Sequence, residues 1–136
     1  MAAISAATFL LTTGGPAIAD NAGMDEYRTA CAVCHGLQGT GDGPLAEYLT
    51  IGVPDLTVLS QNNDGKFPMF HVIQVIDGRL GVRGHGDARP DAAGNMPVWG
   101  ERYEVEIAGE AGRYSFEMEI RGRILALAEY LASIQK

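Results

Sequence analysis

The run Cys31-Ala32-Val33-Cys34-His35 is the most informative stretch of this chain, and a glycine-rich segment from Gly36 to Gly43 follows it directly. Two cysteines separated by two residues and followed at once by histidine are typical of covalent haem attachment. On one helical turn, both thiols reach the two vinyl groups of a haem and the histidine reaches the iron. We therefore expect one covalent haem c, held by Cys31 and Cys34, with His35 as an axial iron ligand.

Three other uses of the two thiols are open. A thioredoxin-like redox pair follows a strand in a βαβ unit, whereas these cysteines end a predicted helix. A zinc site with Cys31, Cys34 and His35 needs a fourth ligand, and the sequence has no second Cys/His pair. The third alternative is a plain structural disulfide. The adjacent histidine favours haem attachment over all three.

A second axial ligand of the iron is expected from a methionine or histidine elsewhere in the chain. We favour Met96, because Pro97 restricts the backbone next to it and Trp99 is an aromatic residue suited to packing on a porphyrin. A histidine and methionine pair is standard in electron-carrying cytochromes. The remaining candidates are Met24, Met69, Met118, His71 and His85.

These remaining candidates have simpler explanations. The other methionines lie on predicted helical stripes, where a core role is the default. His71 lies opposite the apolar stripe of its helix and is predicted to be solvated. His85 is predicted to lie at the surface, with a haem propionate contact or ligand exchange as the alternative. Three arginines are candidates for neutralising haem propionates: Arg79, Arg83 and Arg89.

The periodicity of apolar residues predicts an all-α fold. One helix ends at the cysteines, Pro44 begins a short helix, and another helix runs from Pro68 to Asp77. A terminal amphipathic helix carries Ile120, Ile124, Leu127, Leu131 and Ile134 on one face. Gly23 and Tyr27 offer a surface for a close crossing of the first and last helices.

Other segments are predicted to be irregular or extended. Residues 51–67 read as a surface loop, and residues 78–94 as an irregular loop that delivers Met96. The alternation of Tyr103, Val105 and Ile107 with glutamates predicts a short strand or β-hairpin in residues 101–115.

These motifs, in this order, resemble a bacterial class I cytochrome c over residues 22–134. The resemblance rests on 31–44, on Met96-Pro97-Val98-Trp99-Gly100, and on a closing helix with Leu127, Tyr130 and Leu131. It implies a compact mono-haem fold whose terminal helices cross beside the haem. It also implies that the carbonyl of Pro44 orients His35. The long loop at 81–95 and the acidic insertion at 101–115 depart from the simplest members of this family.

Residues 1–19 are predicted to form a secretory signal peptide, because they carry no charge and close on Ala17-Ile18-Ala19 before Asp20. The expected basic start is missing from this segment. Its apolar run is too short to span a bilayer, so no stable membrane insertion is expected after cleavage. We therefore expect a single periplasmic cytochrome domain at residues 20–136.

The net charge of −7 argues against binding to nucleic acid and favours redox partners with a basic docking surface. With both axial positions filled, we expect an electron carrier and not an enzyme. Two alternatives are a haem sensor or peroxidatic protein with a displaceable Met96, and a bound cytochrome subunit of a larger oxidoreductase. The acidic insertion is the expected place for partner contacts.

Overall fold

The computed structural model describes residues 17–79, 96–107 and 113–136, and within these ranges it is helical and contains no strand. The all-α prediction is therefore confirmed at this level. Five α helices are present: α1 (Ala17–Ala30), α2 (Ala32–His35), α3 (Met69–Asp77), α4 (Trp99–Ile107) and α5 (Arg113–Ser133). Three short 3-10 turns lie between α2 and α3, at Ala46–Tyr48, Leu56–Val58 and Gln61–Asn63.

Helices α1 and α5 make the main packing contact of the molecule. At Gly23 a side-chain Cβ would collide with the carbonyl group of Ala126, so only glycine allows this close approach. One turn further along α1, the ring of Tyr27 packs at 5.1 Å from the ring of Tyr130. The predicted crossing of the first and last helices at Gly23 and Tyr27 is thus confirmed.

The core is built on one face of α5, where residues three and four apart share a stripe. Ile120, Ile124, Leu127 and Leu131 are all buried, as the periodicity predicts. Helix α3 adds buried side chains from its own stripe. It ends at Gly78, whose φ of 69° lies in the left-handed region that favours glycine after a helix.

The prediction of a strand or β-hairpin near residues 101–115 is wrong for residues 101–107, which belong to α4. Tyr103 and Ile107 are both buried, and a spacing of four residues suits one face of a helix as well as alternate positions of a strand. Val105 distinguishes the helix from the strand. In a strand it would share the buried face of Tyr103 and Ile107, but it is 79% exposed. Residues 108–112 lie outside the described residues.

The C-terminal residues hold the loop that follows the first 3-10 turn. The backbone N–H of Lys136 donates to the carbonyl of Thr57 at 2.9 Å. The side chain of Gln135 donates to the carbonyl of Leu56 and accepts from the N–H of Ser60, both at 2.8 Å. The predicted surface loop at 51–67 therefore contains two 3-10 turns anchored to the end of α5.

Two other predictions lie largely outside the described residues. These are the signal peptide, of which only residues 17–19 are described, and the loop at 78–94, described only to Arg79. Among the helices that the structure describes, none has the length and apolar character needed to cross a membrane.

Candidate functional site

The wall of the site that carries His35 is held by hydrogen bonds to backbone groups. His35 is buried at the end of α2, and its carbonyl accepts from the N–H of Gly41 at 2.9 Å. The N–H of Gly43 donates to the carbonyl of Cys34 at 3.1 Å. The buried hydroxyl of Tyr27 donates to the carbonyl of Gly36 at 2.7 Å. The glycine segment therefore folds back onto the cysteine and histidine turn.

Glycine is required in this segment by close contact between backbone groups. At Gly43 a Cβ would lie 2.5 Å from the carbonyl carbon and oxygen of Cys34, closer than two such atoms can approach. At Gly36 the φ of 79° favours glycine, and a Cβ there would collide with the carboxylate of Asp42. The glycine segment therefore lies in close backbone contact with the turn that bears Cys34.

The imidazole of His35 lies against the carbonyl of a proline, and that proline is Pro54. The Nδ1 atom of His35 is 3.4 Å from the carbonyl oxygen of Pro54. Pro44, which the resemblance indicated for this role, is exposed and lines neither cavity of the site. The N–H of Leu56 donates to the carbonyl of Gly39 at 2.7 Å, and this bond holds residues 54–56 next to the glycine segment. Pro54 therefore lies close to His35.

Two adjoining cavities lie beside His35. The larger has a volume of about 330 Å³, the smaller about 70 Å³, and both are mainly apolar. Four residues line both cavities: Cys31, His35, Pro54 and Met96. Cys34 and Trp99 line the smaller cavity, whereas Leu127 and Leu131 of α5 form part of the larger one. Six residues were predicted as haem contacts, and all of them except Pro44 line the smaller cavity.

Met96 is distinguished from the other methionines of the described ranges by its position. Met24, Met69 and Met118 line neither cavity, and Met118 is 75% exposed, which departs from the core role predicted for it. Among the methionines that the structure describes, only Met96 therefore places a thioether on the same cavities as His35. Trp99 follows it at the start of α4, with the guanidinium of Arg102 at 5.2 Å from its ring.

The remaining polar candidates have different positions. His71 is exposed, as predicted, but it also lines the larger cavity, which its helical position did not indicate. Arg79 does not reach either cavity, because its guanidinium pairs with Asp77 and, at 2.9 Å, with Glu117. His85, Arg83 and Arg89 lie outside the described residues.

An ion pair and a buried aromatic residue lie behind Cys31. Arg123 pairs with Glu26 at 2.8 Å, and its guanidinium stacks 3.9 Å from the ring centre of Tyr103. Burial, assisted by the negative charge of Glu26, raises the pKa of Cys31 to about 12. A thiol with this pKa is protonated at neutral pH, which disfavours a redox pair that reacts through the Cys31 thiolate. The two cysteines are not joined in a disulfide.

The described residues hold no group of three or more His, Cys, Asp or Glu side chains placed to bind a metal ion. No model of a known protein family matches the chain, and no curated protein or solved structure matches it. The functional interpretation therefore depends on the residues and geometry of the site.

Proposed function

We propose that this chain is an exported, mono-haem cytochrome c of class I that carries single electrons between periplasmic redox partners. One observation supports this most strongly. Cys31, His35 and Met96 line the same apolar cavity of about 330 Å³, although Met96 is far from the other two in sequence. Two thiols, an imidazole and a thioether form the donor set that a covalent haem with His and Met ligation requires.

The residues present fit such a group. The cavity is apolar and falls in the size range of small-molecule sites. Cys31 and Cys34 would hold the haem covalently, and His35 and Met96 would be its axial ligands. When bound, the haem supplies an iron centre that changes oxidation state by one electron.

The other residues of the site orient and shield these ligands. The carbonyl of Pro54 faces Nδ1 of His35, which fixes the ring and leaves the other nitrogen for a metal. Trp99 and the α5 leucines contribute apolar walls to the cavities, which would shield a bound haem from water. With Met96 as the second axial ligand, no coordination position is left for a substrate, so the proposal is an electron carrier and not an enzyme.

The first test is covalent haem attachment in the exported protein. The full chain is produced in a bacterium that attaches haem to periplasmic proteins, then denatured and extracted with acidified solvent. We expect the haem absorbance to remain with the polypeptide, and to be lost in Cys31→Ser with Cys34→Ser. The mature chain should begin at Asp20 by mass. Extraction of all haem from the wild-type protein contradicts the proposal.

The second test concerns Met96. We expect a weak far-red absorbance band from methionine bound to ferric iron, and poor carbon monoxide binding by the reduced protein. Met96→Ala should abolish the band and admit carbon monoxide, whereas Met118→Ala, at an exposed position outside the cavities, should do neither. Avid carbon monoxide binding by the wild-type protein supports the haem sensor instead.

A further inference from the structure

Exposed apolar side chains are concentrated next to the cysteine and histidine turn. Nine large apolar side chains are exposed among the described residues, and five of them fall between Val33 and Ile51. The other four are spread over α3, α4 and α5. Single exposed apolar residues are ordinary, but a group of them close together beside a cavity indicates a contact surface.

Backbone contacts and a shared cavity place four of these five exposed residues near one another, and we call them the 33–51 patch: Val33, Leu45, Tyr48 and Ile51. The N–H of Leu45 donates to the carbonyl of Val33 at 2.9 Å, so the two residues are neighbours. Tyr48 follows within the same 3-10 turn, bonded to the carbonyl of Leu45. Ile51 lines the smaller cavity together with Cys34, the residue after Val33. The patch therefore borders the smaller cavity.

The charge around this patch is entirely acidic along the chain. From Thr29 to Gly65 the sequence contains no lysine or arginine. Two of the carboxylates in that stretch, Asp42 and Glu47, are exposed and belong to the segment that carries the patch. An apolar centre with acidic neighbours is complementary to an apolar surface surrounded by lysine or arginine.

We propose that the 33–51 patch docks a redox protein whose contact surface has an apolar centre and a basic rim. This inference rests on the proposed function, because it places the partner beside the haem attachment residues. A second copy of this chain would bring Asp42 and Glu47 against their own copies, which like charge disfavours. An anionic lipid surface is disfavoured for the same reason.

We therefore expect the partner to contact the 33–51 patch and not the acidic insertion at 101–115. Within the described part of that insertion, Glu106 pairs with Arg123 at 2.9 Å, and Arg102 is a nearby cation stacked on Trp99. These arginines offset the negative charge of α4. The segment around the 33–51 patch contains no such cation.

The test uses the haem-loaded full chain and electrodes as defined probes. Gold is coated with a mixed monolayer that ends in methyl and amine groups, which imitates an apolar centre with a basic rim. A methyl and carboxylate monolayer and an amine and hydroxyl monolayer are the comparison surfaces. We expect the fastest electron exchange on methyl and amine, and a loss of about tenfold with Tyr48→Glu.

Matched variants separate the patch from general surface effects. Met118→Glu changes an equally exposed apolar residue on α5, and Glu119→Lys makes the same charge change on α5 as Glu47→Lys makes beside the patch. We expect the two α5 variants to exchange electrons as the wild type does, whereas Glu47→Lys slows exchange on methyl and amine. Circular dichroism checks that each variant is folded.

Several outcomes overturn the docking proposal. These are equal rates on the carboxylate surface, equal effects of Tyr48→Glu and Met118→Glu, concentration-dependent dimers abolished by Tyr48→Glu, and binding to phosphatidylglycerol vesicles through the patch. If the chain carries haem but the electrodes do not discriminate, the docking proposal alone is wrong. If the chain carries no covalent haem, the proposed function fails first and the docking proposal fails with it.

Discussion

The two sides of the site are built in different ways. The His35 wall, residues 31–54, is held by backbone hydrogen bonds between groups close in sequence, such as Gly41 to His35 and Gly43 to Cys34. The Met96 wall, residues 96–107, is held by side-chain packing. Trp99 stacks at 5.7 Å from Tyr103, and Tyr103 and Ile107 enter the core.

This difference indicates how each wall responds to change. Backbone contacts cannot rearrange without moving the chain, whereas a wall held by side chains can shift and repack. We therefore expect substitutions in the His35 wall to reduce the free energy of unfolding strongly. Substitutions in the Met96 wall should leave the fold largely intact, and on the proposed function they would change the ligation of the haem iron.

The largest effect is expected at Gly43 in the His35 wall. Gly43→Ala places a Cβ 2.5 Å from backbone atoms of Cys34, which cannot move aside as a flexible side chain can. We expect the free energy of unfolding to fall by about 3 kcal/mol in urea denaturation. Gly52→Ala is the control, because a Cβ there meets nothing within 4 Å. A loss below about 1 kcal/mol for Gly43→Ala would show that this wall is not rigid.

A smaller effect is expected at Tyr27, which clamps the same wall. Tyr27→Phe removes the buried hydroxyl that donates to the carbonyl of Gly36 at 2.7 Å and leaves that carbonyl without this donor. The expected loss is about 1.5 kcal/mol in the free energy of unfolding, measured by the same urea titration. Tyr130→Phe serves as a control on the partner ring, because the Tyr130 ring contact survives the change. Equal losses for both variants contradict the clamp.

The sequence predicted the helix crossing and the buried face of α5 well, because both leave recognisable local patterns. Glycines at Gly23 and in residues 36–43 mark close backbone contacts, and the apolar spacing of α5 fixes its buried face. Asp77-Gly78 marks the end of α3 correctly. Each of these signals can be recognised from a few neighbouring residues in the sequence.

The sequence was less informative where distant contacts decide the structure. Pro44 and Pro54 are indistinguishable by local pattern, and the hydrogen bond from Leu56 to Gly39 is a contact between segments that the pattern does not reveal. The Tyr103 and Ile107 spacing fits both a strand and a helix, so packing against the core decides it. His71 reaches the cavity lining although its position on α3 predicted only solvent.

Arg79 connects the end of α3 to α5, and substitution of Arg79 tests how much this connection stabilises the fold. Its guanidinium pairs with Asp77 and Glu117, and these hydrogen bonds lower the pKa of Glu117 below its ordinary value of 4.5. A lowered folded-state pKa stabilises the protein above pH 4.5, and that contribution is lost as the pH falls through the folded value.

Arg79→Gln should therefore reduce the free energy of unfolding at neutral pH by about 1 kcal/mol, discounted because the Glu117 side chain is 36% exposed. The difference from wild type should shrink as the pH falls below 4.5 and Glu117 becomes protonated. Arg121→Gln is the matched control, because Arg121 pairs with the same carboxylate but is 76% exposed. A difference that stays constant from neutral to acidic pH assigns the effect of Arg79 to packing.

The smallest effect is expected at Tyr103, which completes the comparison with Tyr27. Among the described residues the buried Tyr103 hydroxyl has no hydrogen-bond partner, although burial and the nearby Glu26 carboxylate raise its pKa. Tyr103→Phe removes a polar atom that is buried without compensation and keeps the ring between Trp99 and Arg123. We expect a change within about 0.5 kcal/mol, in either direction, where Tyr27→Phe is clearly destabilising. A loss above about 1 kcal/mol would mean that the hydroxyl binds Glu26 in solution, and that the Met96 wall is also anchored by a polar contact.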